Sequence, residues 1–409
     1  MKCRITIVFF LLLLLACGHK KKNIQEMGEN QNLYVIDVDK AEQEEKILLS
    51  DICSNAKIII LETNDDVLIG HVGGVQAYKD YIFVLDEQDS NFGLYAFNRD
   101  GKFIRRYGSR GIGPGEYLSI KDFTIDAENE IIYLLDDGGH QILRYDINTG
   151  RYINKIEIKD KVFNCFHLQY NNEKLYTSIS YWHTKNDGCL LQEIDPSTGR
   201  QTQCWLDAER YNLGWDGSRW GLGRNEESFF YVRHQETCKY MDYFMDTIIA
   251  IGKNQIEPYA VIKDKDRITA KNLARIVEET HDIFSEMRER GYSFSNFGYM
   301  EWDDYICFNY MKYSYSYFVL YNKKTGNSRT SQHLVNDLVF DRYFPLVDRF
   351  VCSDENGLYE IRGMRFLDSY IKWIKEYDPV KKSLDKYEEL MNLPEDTNPI
   401  LFYYEFKRE

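Results

Sequence analysis

LYAFNRDGKF (94–103), ILRYDINTGRY (142–152) and LLQEIDPSTGRQ (190–201) follow one plan, an apolar strand running into a polar turn that closes on glycine. Each follows a second apolar run, IFVLD (82–86), IIYLLD (131–136) and LYTSI (175–179). The turn glycines Gly101, Gly150 and Gly199 are spaced by 49 and again by 49. A fourth copy reads YICFNY (305–310) and YFVLYNKKTGNS (317–328). A repeat of this period, made only of strands and hairpin turns, is the signature of a β-propeller.

Working outward from the repeat, FIRRYG (103–108) and YINKIEI (152–158) supply further strands, giving four per blade. A degenerate copy lies at SFFYVRH (228–234) and DTIIAIGKNQIEPYAVI (246–262). Between it and the next copy, Ile268, Leu273, Ile276, Val277, Thr280, Ile283, Phe284 and Met287 recur at helical spacing. That periodicity predicts an amphipathic helix over about 267–290, ended by Gly291 and packed on its own domain. A sixth blade has to come from the ends. Asp348-Arg-Phe-Val-Cys352 and Pro399–Lys407 give two of its strands, and Ile58–Leu61 is the natural partner for closing the ring. Short helices are expected at 370–377 and 383–393. The fold class is therefore all-β, a six-bladed β-propeller over 33–409 with a helical insertion and short C-terminal helices.

The first sixteen residues are a separate matter. Lys2 and Arg4 precede an apolar run from Ile5 to Leu15, too short for a membrane span and right for a secretory signal. The ending Leu14-Leu15-Ala16-Cys17 resembles a bacterial lipobox. That resemblance implies cleavage before Cys17 and a lipid on its sulfur. Residues 17–32 have almost no apolar content and read as a flexible tether, with Lys20, Lys21 and Lys22 beside the anchor. Losing two basic residues with the signal takes the formal charge from −14 to −16. No basic stripe offsets it, so nucleic acid is excluded as a partner. Seven cysteines remain beyond Cys3 and Cys17, widely spaced and without a C-x-x-C pair, which excludes structural zinc and leaves any disulfide pairing open.

Asp100-Gly-Lys-Phe103, then Gly108-Ser-Arg-Gly-Ile-Gly-Pro-Gly-Glu-Tyr117, then Asp246–Ile251 with Pro258-Tyr259, and finally Asn398–Lys407 appear in an order that resembles the six-bladed β-propeller lipoproteins of Bacteroidetes. Those are similar to NHL-repeat propellers. The resemblance spans about Val35 to the C-terminus and implies a fold and an envelope location. It implies no catalytic residue.

Gly108, Gly111, Gly113 and Gly115 lack the Lys-Ser/Thr and the helix of a phosphate loop; they read as a tight loop at the propeller mouth, with Glu116 as a polar contact. His183, His234, His281 and His333 recur at gaps of 51, 47 and 52 but fall at different places in their blades, so no metal site is read from them. The acidic pairs Asp86-Glu87, Asp136-Asp137 and Asp303-Asp304 sit at strand ends, where Asp is also the ordinary turn residue. The stretch 205–224, WLDAERYNLGWDGSRWGLGR, interleaves Trp205, Trp215 and Trp220 with glycines, Arg219 and Asp216. Aromatics beside turn residues suit stacking on a sugar or holding a protein partner, so Trp215, Trp220, Trp205, Arg219 and Glu116 are the candidate ligand contacts.

The expectation is an envelope lipoprotein that serves as a binding or scaffold module for a glycan, a peptide or a protein partner, with no cofactor and no metal. The alternative is a lyase or hydrolase, metal-dependent in the NHL-like case, working in the propeller channel. Gly18 after the lipid-bearing Cys favours the outer membrane, and the absence of an acidic cluster at Lys20–Lys22 favours its periplasmic side.

Overall fold

The computed structural model describes residues 24–25, 27–30, 32–87, 92–158, 165–179, 188–213, 229–231, 238–242, 244–253, 255–280, 282–339, 350–364, 369, 390, 393–394 and 396–407. It is a six-bladed β-propeller. Blade 1 consists of Val72–Tyr78, Tyr81–Asp86, Gly93–Asn98 and Phe103–Tyr107. Blade 2 is Ile120–Asp126, Ile131–Asp136, Gln141–Asp146 and Tyr152–Glu157. Blade 3 is Cys165–Asn171, Lys174–Ile179, Cys189–Ile194 and Gln201–Asp207. Blade 4 is Phe229–Tyr231, Cys238–Met241, Thr247–Ile251 and Ile256–Lys263. Blade 5 is Ser293–Glu301, Tyr305–Lys312, Tyr315–Asn322 and Ser328–Ser331. Blade 6 takes Cys352–Ser353, Gly357–Arg362 and Ile400–Phe406 from the C-terminal part, and its outer strand, Cys53–Ile60, from the N-terminal part.

Strand alternation explains why the second strand of a blade is apolar throughout. Its two faces meet two different neighbours. In blade 1, Ile82 and Val84 pack with Ile59 and Leu401 of blade 6, while Phe83 and Leu85 pack with Ile132 and Leu134 of blade 2. In blade 2, Tyr133 and Leu135 turn the other way, onto Leu168 and Leu175 of blade 3. The core is thus a set of interblade layers, and the first strands of successive blades line the centre.

The repeated glycines have a common physical cause. Gly101, Gly150 and Gly199 have φ of +84°, +72° and +67°, and each turn lies on the outer strand of the preceding blade. A Cβ on Gly101 would come within 2.2 Å of the Ile60 carbonyl oxygen, and one on Gly199 within 2.1 Å of that of Glu157. At Gly150 the neighbour is the Arg105 side chain, at 2.9 Å. The polar turns are built by Asn98, Asp146, Asp195 and Asn322, whose side-chain oxygens accept from backbone amides two to four residues on.

Ahead of Cys53 the chain forms a strap around the rim. Ile24–Gln25 adds a fifth, parallel strand to blade 3, Tyr34–Asp37 to blade 4 and Glu42–Gln43 to blade 5; Ile47–Leu48 then pairs with Leu334–Val335. Gly28 donates its N–H to the Ile256 carbonyl and Asn30 donates to that of Pro258. So within the stretch read as a flexible tether, Ile24, Gln25, Gly28 and Asn30 are bound to blades 3 and 4, because backbone groups on an open sheet edge gain partners. Arg329 of blade 5 fixes the strap through Glu44 and Asp51, and Ser50 donates to Asp337.

The insertion holds two helices where the periodicity predicts one. Ala270–Glu279 starts at Thr269, whose hydroxyl accepts from Asn272 N–H, and Ile283–Glu289 starts at Asp282, whose carboxylate accepts from Ser285 N–H. Leaving Thr280 in an extended conformation breaks the run. The apolar face is as expected: Ile268, Leu273, Ile276, Ile283 and Met287 are buried with Phe244 and Phe294. The segments 370–377 and 383–389, with 391–392, lie outside the described residues, as do Cys17 and the signal segment. Cys189 and Cys204 form a disulfide between the third and fourth strands of blade 3, while Cys53, Cys238 and Cys307 are buried thiols.

Candidate functional site

Propeller connectivity sorts every link onto one of two faces. Links between strands 1 and 2, and between 3 and 4, lie on what we term the turn face and are short turns where they are described. Links between strands 2 and 3, and from strand 4 to the next blade, lie on the crossover face. The longest links start and finish at strand ends on the crossover face. They are 61–71, 108–119, the segment between Asp207 and Phe229, the helices within 264–292, the segment between Ser331 and Cys352, and the long link between Arg362 and Ile400 in blade 6.

The Gly-rich loop folds back on itself through a short parallel pairing. Ser109–Arg110 pairs with Glu116–Tyr117, Gly111 N–H donates to the Tyr117 carbonyl, and Tyr145 Oη–H donates to the Gly115 carbonyl at 2.7 Å. Tyr117 is buried and its hydroxyl is met by the Arg106 guanidinium. Glu116 is turned into this loop, where its Oε2 accepts from Gly113 N–H at 2.7 Å. What the loop projects is Ile112, with 91% of its surface exposed. Leu68, Leu118, Tyr313 and Tyr315 are exposed large apolar side chains on the same face; elsewhere, among the described residues, only Val35 and Ile153 are comparable.

At the channel mouth the first strands carry β-bulges near their starts in blades 1, 2, 3 and 5. Bulges re-aim side chains and cluster beside functional sites. In blades 2 and 3 they bring Asp122 and His167 together, with Asp122 Oδ2 3.4 Å from His167 Nδ1 and 2.8 Å from the Leu168 amide nitrogen that donates to it. Asp122 Oδ1 accepts from Phe123 N–H, and Thr124 Oγ1 accepts from Tyr170 N–H. The pair laces two blades together with its carboxylate already engaged.

The acidic pairs of the sequence do not meet. Asp136 is fully buried and accepts from the N–H groups of Leu118, Ser119 and Gly139 and from Gln141 Nε2. Asp86, also buried, accepts from Gly70 and His71 N–H. Both tie an incoming crossover to the end of the second strand, which is the turn role of Asp. Asp304 lies on the turn face, paired with Lys324 at 2.8 Å. Trp205 sits in the outer strand of blade 3, half-buried opposite Gln25 of the strap, with its indole Nε1–H directed at Glu193 Oε2. Trp215, Arg219 and Trp220 lie outside the described residues, as do His183, His234 and His281.

One group among the described residues has the spacing of a cation site, Asp39, Asp264 and Asp266, where the strap meets the blade 4 to blade 5 crossover. Its oxygens are already served by Lys265 N–H, the Ser293 hydroxyl and Lys312 Nζ. Asp39 could not be placed there from sequence, because the strap's path is a tertiary fact. On the turn side, Glu301 is buried between blades 4 and 5. It accepts from Tyr299 Oη–H at 2.8 Å and Lys323 Nζ at 3.1 Å, with Lys239 Nζ 4.0 Å away and over the Tyr259 ring. Burial holds the Lys239 ammonium below the usual lysine range, against the pull of Glu301.

A family model described as Domain of unknown function (DUF4934) matches residues 33–405. No curated protein matches the chain. Among solved structures, a protein of Bacteroides fragilis described as exported superposes with a TM-score of 0.69 at 17% identity, covering 92% of this chain and 100% of that one. A DUF4221-family member from Bacteroides vulgatus gives 0.51 at 9% identity, covering 87% and 97%. At these identities the likeness carries the fold. No helix of the described residues is long and apolar enough to cross a membrane.

Proposed function

The chain belongs to the DUF4934 family, and we propose that it is an exported, lipid-anchored binding module whose crossover face takes a peptide or protein partner. The observation that carries this reading is one-sidedness. The longest interstrand links start and finish at the crossover face, which also holds five of the seven exposed large apolar side chains among the described residues, while the described links of the opposite face are short turns. Aliphatic side chains such as Ile112, Leu68 and Leu118 suit a protein surface better than a sugar ring, which stacks on aromatics. A glycan is the reading that Trp215 and Trp220 favour. The Leu14–Cys17 ending and the exported character of the Bacteroides fragilis structure support placement in the envelope, and Gly18 supports the outer membrane.

Catalysis is the weaker reading because the His–carboxylate pair found at the mouth among the described residues, His167 and Asp122, is engaged in joining blades. The test compares Ile112→Asp/Leu118→Asp with a turn-face control, Lys253→Glu, by cross-linking in intact cells and by glycan array. A partner captured by the parent and the control but lost from the double variant is the expected result. Capture that survives the double variant and fails in the control would place the site on the other face, and array binding by the parent would make the ligand a glycan.

A further inference from the structure

The strap fixes the direction from which the lipid anchor reaches the ring. Ile24 pairs with Cys204 and Gln25 with Trp205, in parallel. The outer strand of blade 3 starts at Gln201, just after the Asp195–Gly199 turn, and ends at Asp207 on the crossover side. A parallel partner must enter from the same end, so the chain preceding Ile24 comes from the turn side. Side-chain contacts keep this register: Gln203 Nε2 donates to Gln25 Oε1 at 3.2 Å, and Ile24 packs on the Cys189–Cys204 disulfide. From Cys17 to Ile24 is seven residues, a reach of no more than about 25 Å. To leave past the crossover face the anchor would have to reverse its direction within those seven residues, against the parallel entry of Ile24–Gln25. Lys20, Lys21 and Lys22 lie within the same span and favour an anionic lipid surface.

We propose that the turn face is the membrane-proximal face of the anchored protein, so that the crossover face with Ile112 is presented away from the bilayer. This rests on the lipid-anchor reading of Cys17, and its partner is the lipid surface itself. The test uses the full lipidated protein in vesicles of phosphatidylethanolamine and phosphatidylglycerol that carry a headgroup energy acceptor. A fluorophore is placed by Arg200→Cys on the blade 3 turn, by Glu355→Cys on the blade 6 turn across the ring, or by Ile112→Cys on the crossover face. Each is read against the labelled parent.

Several-fold greater energy transfer from both turn-face probes than from Ile112→Cys is the expected result. Equal or greater transfer from Ile112→Cys overturns the orientation. Transfer from Arg200→Cys alone overturns it too, since the ring would then stand on the blade 3 edge. Mass spectrometry of the purified chain separates the two readings. An acylated Cys17 with the wrong transfer pattern removes the orientation and leaves the anchor, whereas a chain without acyl groups removes both.

Discussion

At Gly199 the chain has no room for a side chain. The φ of +67° alone would cost an alanine roughly 1 kcal/mol, and the Glu157 carbonyl 2.1 Å from the added Cβ forces blades 2 and 3 apart as well. Gly199→Ala should therefore lose roughly 2–4 kcal/mol. Gly326, at the same place in blade 5, has φ of +73° but nothing nearer than 3.9 Å. Its alanine variant should show the smaller, strain-only loss, and urea unfolding midpoints of the two variants measure the difference. Cys53 makes a separate prediction about pH. It is fully buried, and burial pushes its thiol up to about 12, while an unfolded cysteine ionises near about 8.5. Between those values the unfolded chain holds fewer protons, so stability is full below the lower one and falls as pH rises. The fall from pH 8 to pH 10 should be shallower in Cys53→Ala, and the native thiol should resist alkylation at pH 8 that it undergoes once unfolded.

Among the elements, those built from local signals were legible and those that depend on the chain's path were not. The repeat gave the blades because a strand buried on both faces must be apolar and an Asx turn must be Asn or Asp with glycine after it. Ile58–Leu61 and Ile400–Lys407 could be paired as the closing strands for the same reason. The helical face was readable from spacing, yet the second N-cap, Asp282 three residues before Ser285, was the available signal for a break and lay hidden in a continuous apolar period. The strap was the larger omission. Glu42–Gln43 and Ile24–Gln25 are two-residue strands, too short for any alternation to show, and what makes them strands is an outer blade edge distant in sequence. Of the candidate site, the Gly-rich loop could be placed at the mouth, but the inward turn of Glu116 and the exposure of Ile112 follow from Gly113 N–H and Tyr145, which spacing does not reveal. Asp122 and His167 meet only because bulges in two blades fall at the same height.

For the whole molecule, the decisive question is where the ring is closed. Cys53–Ile60 pairs along one edge only, with Ile400–Phe406, and that strand in turn joins it to Gly357–Arg362. A chain ending at Asn398 leaves the N-terminal strand with no partner and blade 6 with two strands, so apolar faces of blades 1 and 6 such as Ile82, Val84 and Tyr359 lose their cover. Removing 24–43 is a different operation. It strips fifth strands from blades 3, 4 and 5, but every blade keeps four and the closure is untouched. The C-terminal truncation removes 11 residues and the strap deletion 20, yet the smaller one should be the more damaging. The shorter C-terminus should abolish the cooperative thermal transition followed by circular dichroism. The strapless chain should keep a single transition at a lower midpoint and associate in a concentration-dependent way, since the outer strands of three blades are then unpaired edges. A cooperative transition in the chain ending at Asn398 would mean that the ring is held by its interblade layers and not by its closing strand.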